Sequence, residues 1–116
     1  MSANIIFFAW NRSIPGREQI SAGHFQEFVG YLGELQGKGG IQSFETVFLN
    51  AHGGDLNGFF LIHGNNDQLN QLQASEAWTT HMTRAALHLE GSGAVTGVSG
   101  DLVMERMALW TKSIPG

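Results

Sequence analysis

The 116-residue chain contains no cysteine. That excludes a disulfide framework, a thiolate metal site and a thiol nucleophile. Charge is also scarce, at 14% Asp, Glu, Lys and Arg against a usual share of about 25%. Less of the surface is committed to water, so more is free to be buried in an interface. Cations are the scarcest: six Lys and Arg are scattered along the chain, and the net charge is −4. A duplex nucleic-acid binder needs clustered basic residues to displace counterions, so that class is not expected. No apolar run reaches about 18 residues, so no membrane span is expected. The apolar start, Met1 to Trp10, lacks a basic leader region and a small-residue cleavage site. It reads as a strand, and the cytoplasm is the expected compartment.

What remains is a folded composition, 42% hydrophobic, of a size suited to a single domain spanning 1–116. The 16 glycines fall mostly between periodic segments, where turns are needed. Asn4 to Asn11 is rich in β-branched and aromatic residues and reads as a first strand. Arg17 to Gln36 has helical period, with Phe25, Phe28, Val29, Leu32 and Leu35 on one face, and the glycines after it end the helix. Ile41 to Ala51 and Leu56 to Gly64 read as a second and third strand, joined across His52-Gly53-Gly54-Asp55 as a hairpin. Asn65 starts a second helix that breaks near Ser75 and continues to Leu89. Ala94 to Ser99 is a short fourth strand, and Asp101 starts a last helix carrying Val103, Met107 and Trp110. The order β-α-β-β-α-β gives an α+β fold with helices on one face of a four-stranded antiparallel sheet.

A sheet with one wet face alternates apolar and polar residues. Here Ile5, Phe7 and Ala9 oppose Ile6, Phe8 and Trp10, and Phe59 and Leu61 oppose Phe60 and Ile62; both faces are apolar. Helices cover only one of them. The other has a projected area of roughly 330 Å², on the scale of the largest exposed apolar patch of a typical monomer, about 300–600 Å². A homodimer through the sheet face is the expected cover; the last helix folding over that face is the alternative. Which face meets the helices is left open by the pattern.

Pro15-Gly16-Arg17 before a long amphipathic helix, the hairpin His52 to Ile62, the broken second helix with Leu69 and Leu72 before Ser75-Glu76-Ala77-Trp78, and the element order together carry a resemblance. From Asn4 to Gly100 the chain resembles the ferredoxin-like dimeric α+β barrel superfamily, and within it the uncharacterised members. The resemblance implies a dimeric barrel with an extra C-terminal helix. The superfamily includes cofactor-free monooxygenases, isomerases and haem enzymes, so shared fold says little about activity. No catalytic signature of a named branch is present.

Five histidines are the obvious candidates for chemistry. None has the spacing of a zinc protease helix. His81 and His88 lie seven apart on one helix edge, about 10 Å along the axis, too far to share an ion without an intermediate ligand; they read as partly exposed rim residues. His63 follows Phe59 and Leu61 on one strand face. It reads either as a hydrogen-bonding group lining a pocket or as a strand-end residue facing water. His24 and Tyr31 edge the first helix's apolar face. Trp10 and Trp78 offer flat surfaces for stacking or for core packing. His52 and Asp55 read as hairpin residues. The candidate ligand-binding residues are therefore His63, His24, Tyr31, Trp10, Trp78 and His81, with no metal site and no cofactor called for. The expected function is binding of a small apolar or aromatic ligand between helices and sheet. The resemblance suggests two alternatives: a cofactor-independent monooxygenase or isomerase on an aromatic, polyketide-like substrate, and a haem or metal binder.

Overall fold

The computed structural model describes residues 2–116. The main sheet has four antiparallel strands: β1 (Ile5–Trp10), β3 (Ser43–Phe48), β4 (Gly58–His63) and β6 (Gly93–Gly97), in spatial order β3-β4-β1-β6. Two βαβ crossovers interleave. α1 (Glu18–Lys38) links β1 to β3, and α2 (Asn66–Ala74) with α3 (Glu76–His88) links β4 to β6. A two-residue ladder between β2 (Arg12–Ser13) and β5 (Leu89–Glu90) ties the end of α3 to the start of α1. The sequence pattern gave no sign of this small second sheet, because two-residue strands carry no period. The hairpin strands β3 and β4 are also shorter than the apolar runs suggested, since the residues around Gly53 leave the ladder.

Local chemistry explains the helix ends. Gly39 takes a φ of 79° at the C-terminus of α1, and Gly40 N–H reaches back to Leu35 O at 2.7 Å. Both features belong to a left-handed glycine cap. Asn65 and Gln68 form a reciprocal capping box at the start of α2, with both bonds at 2.8 Å. Ser75 ends α2 and accepts from Trp78 N–H to start α3, which is why the helix breaks where the sequence suggested.

The register settles which face meets the helices. Ile6 pairs with Ile62 and Phe8 with Phe60; all four are buried, against Phe28 and Leu32 of α1 and Trp78 and Ala85 of α3. A buried Phe or Ile side chain contributes about 1.5–3 kcal/mol, so this layer holds the domain together. Ile5, Phe7, Ala9, Phe59, Leu61 and His63 lie on the opposite face, only partly buried by their own neighbours. Phe7 and Phe59 sit ring against ring there, 4.9 Å between centroids. The last helix, α4 (Asp101–Lys112), buries none of its residues. Val95 on the open face stays 61% exposed. Within one protomer, α4 therefore leaves that face uncovered, contrary to the alternative raised by Met107 and Trp110. No helix among the described residues is long and apolar enough to cross a membrane.

Candidate functional site

A cavity of about 420 Å³ opens between α1, α3 and the helix-facing side of the sheet. This volume falls within the usual range of small-molecule sites, about 300–1,000 Å³. Its walls are aromatic: Phe8, Trp10, Phe25, Phe28, Phe48 and Phe60. Trp10 packs edge-on to Phe48 and tilted against Phe60. The indole is accommodated because residue 58 is glycine; a Cβ there would come within 2.5 Å of Trp10 Cζ2. One end of the cavity is polar, formed by Ser13, Ser21, His24 and His88.

These polar groups belong to a continuous line of hydrogen bonds. His81 Nδ1 lies 3.0 Å from His24 Nε2. His24 Nδ1 lies 2.7 Å from His88 Nε2. His88 Nδ1 lies 2.7 Å from Ser21 Oγ, and Ser21 Oγ lies 2.7 Å from Ser13 Oγ. Beyond it, Ser13 Oγ lies 3.4 Å from each of the carbonyl oxygens of Ile14 and His88. The packing of α1 on α3 makes this line possible: His24 falls on the same stripe as Phe28 and Leu32, and His88 on that of Ala85. His24 and His88 are 6% and 4% exposed. Polar groups so placed require partners, and each is the other's.

Burial disfavours the charged imidazolium. It pushes His24 down to about 4, with Arg84 and the two neighbouring histidines adding to the effect. Burial and then Arg84 also lower His81. Burial, Arg84 and Arg17 lower His88. Arg84 is itself held by Glu27 at 2.6 Å, with both side chains substantially exposed. All three rings are therefore neutral at pH 7. A neutral ring has one N–H and one bare nitrogen, so each N···N contact holds a single proton and the line has a direction.

The sequence candidates divide accordingly. His24 and Trp10 line the cavity. His81 stands one ring behind it, and Tyr31 packs on His81 at 4.5 Å between centroids. Trp78 lies in the core, 5% exposed, and borders a separate hollow with Phe8 and Met82. His63 is on the opposite sheet face, so it does not line this cavity. The reading of His81 and His88 as a pair of rim residues is corrected for His88, which is buried. His24, supplied by the other helix, lies between the two. Ser13, Ser21 and His88 were not singled out as ligand-binding; the seven-residue spacing of His81 and His88 speaks only to a shared ion, which it disfavours. His52 donates from Nδ1 to Asn50 O at 3.0 Å within its loop, as a hairpin residue would. Among the described residues no three His, Asp or Glu converge on a common point, because the imidazoles turn their nitrogens toward one another.

No family model and no curated protein matches the chain. Among solved structures, a dimeric protein of unknown function and ferredoxin-like fold from Bacteroides fragilis NCTC 9343 matches with a TM-score of 0.56. The two are 14% identical, and the match covers 82% of this chain and 95% of that one. The strand order found here is that of two interleaved βαβ units, in agreement with the match. The chain has the ferredoxin-like fold. In ferredoxin-like terms the cavity lies in the helix–sheet layer, near the ends of β1 and β4 where Trp10 and Gly58 pair. The histidine line runs from that layer outward between the two long helices.

Proposed function

We propose that this protein is a homodimer that binds a small, flat, largely apolar molecule in the cavity between α1, α3 and the sheet. The observation that carries the reading is the cavity itself: six aromatic walls with hydroxyl and imidazole groups at one end. Aromatic walls favour an uncharged aromatic ligand through burial and ring packing. The hydroxyl end fixes one polar substituent.

The dimer part rests on the open sheet face. Phe7, Phe59, Leu61 and Val95 lie there without cover from the chain's own helices. Met104 and Trp110 of α4 are 70% and 61% exposed, an apolar surface in need of burial. A second copy supplies a complementary apolar face, since two-fold interfaces are self-complementary. The ferredoxin-like protein from Bacteroides fragilis is itself dimeric.

The test is a fluorescence titration with 2-naphthol, a flat bicyclic phenol. Trp10 emission should be quenched, saturably, at micromolar to low millimolar ligand. Ala22→Trp places an indole at the mouth of the cavity from an exposed position on α1, so the fold should tolerate it while uptake is lost. Equal quenching in both proteins would place the ligand elsewhere and refute the reading.

A further inference from the structure

The polar end of the cavity contains more than ligand anchoring needs. One hydroxyl would hold a polar substituent, yet three imidazoles and two serines are joined in line. We propose that Ser21, His88, His24 and His81 form a proton relay that carries a proton between a weakly acidic aromatic ligand in the cavity and solvent at His81. This rests on the cavity being the ligand site.

The geometry supplies each hop. Ser21 lines the cavity and contacts His88 at 2.7 Å, His88 contacts His24 at 2.7 Å, and His24 contacts His81 at 3.0 Å. Each intermediate ring uses both nitrogens, one toward either neighbour, as a relay requires. The three rings lie between two helices, and Phe28 faces both His24 and His81 edge-on. His24 and His88 are buried, while Ser21 and His81 are partly exposed. The line therefore has a buried middle, one end at the cavity in Ser21 and the other at the surface in His81.

The step balances without a co-reactant. The ligand O–H passes its proton to Ser21 Oγ as Ser21 passes its own to His88 Nδ1. His88 gives its Nε2 proton to His24 Nδ1, and His24 gives its Nε2 proton to His81 Nδ1. His81 releases its Nε2 proton to water. One proton leaves the ligand and one enters solvent. Every ring stays neutral and ends in its other tautomer. The ligand anion then accepts from Ser21, whose oxygen accepts from His88. Reversal delivers a proton. The charged groups facing the line are Arg17, ahead of α1, Glu27 on α1 and Arg84 on α3. The two arginines disfavour a trapped imidazolium along the path.

Two measurements on the full chain test this. In 15N-histidine NMR at pH 7.5, the N···N contacts should show scalar coupling across His81–His24 and His24–His88, with one protonated nitrogen per ring. Absent coupling, or three rings titrating independently at the ordinary histidine value, would overturn the relay without bearing on ligand binding. The second probe is bound 2-naphthol, whose acidity rises on excitation, so that proton loss is read as naphtholate emission. The wild type should give naphtholate emission from the bound probe. His81→Phe, at a position one ring behind the cavity, should still quench Trp10 emission with 2-naphthol but lose naphtholate yield at least tenfold. Neutral emission from the wild-type complex, or equal naphtholate yield in His81→Phe, would overturn the relay while leaving the cavity reading intact. No quenching of Trp10 would remove the cavity reading, and the relay's function with it.

Discussion

His24 Nδ1 and His88 Nε2, which sit on different helices 64 positions apart, share one buried hydrogen bond of 2.7 Å. Replacing His24 with Phe keeps an aromatic ring but strands the facing nitrogens of His81 and His88. A buried polar group left unpaired costs about 1–3 kcal/mol. The expected loss of stability is of that size, read as a lower urea midpoint with an unchanged slope. His63→Phe, on the open sheet face, removes no bond of this line and should leave the histidine NMR signals unmoved.

Acid should destabilise the fold before the carboxylates titrate. His24 is held near 4 in the folded protein, and its free value is about 6.5. Above that value both states are neutral, and the stabilisation is fully present. Between about 6.5 and 4 the unfolded chain binds the extra proton, so stability falls as pH falls. Each pKa unit corresponds to about 1.4 kcal/mol, and about 1 kcal/mol moves Tm by about 4–8 °C in a domain of about 60–100 residues and by about 2–4 °C in one of about 150–250, with this chain of 116 residues between them. Tm should therefore drop by more than about 5 °C between pH 7 and pH 4.5. Calorimetry at fixed protein concentration measures it. In His24→Phe the drop should be smaller.

Gly58→Ala should displace the Trp10 indole, because the new methyl would lie 2.5 Å from Cζ2. Overpacking of this kind costs about 1–3 kcal/mol. Because Trp10 forms one wall of the cavity, the variant should also bind 2-naphthol less tightly. A combined stability and titration experiment checks both effects.

Leu61→Lys together with Val95→Lys puts two charges on the open sheet face. An uncompensated charge buried in an interface costs about 3–5 kcal/mol, and about 1.4 kcal/mol is tenfold in affinity. Dimer dissociation should therefore rise by at least about a hundredfold, measured by sedimentation. The histidine line lies on the other side of the sheet and should keep its NMR signature.

The element order was legible because strand and helix are separated by strong punctuation: Gly39-Gly40 after α1, Asn65 before α2 and Ser75 before α3. The choice of sheet face was not, because β1 and β4 are apolar on both sides and only the pairing register resolves them. His63 illustrates the consequence: its place on the strand was readable, its side of the sheet was not. The site was half legible. The seven-residue spacing of His81 and His88 spoke only against a shared ion. That His24 lies between them depends on how α1 crosses α3, which no local pattern encodes. Ser13 and Ser21 flank a helix start, where serine is ordinary, so nothing in the sequence marked them.

Native mass spectrometry of the full chain with 2-naphthol tests the central claim most directly, since it counts subunits and bound ligands together. The account predicts a dimer of two 12.6 kDa chains that takes up one 2-naphthol per protomer, and an Ala22→Trp dimer that takes up none. A monomer, or a dimer to which 2-naphthol adds equally with and without the Ala22→Trp substitution, would contradict it.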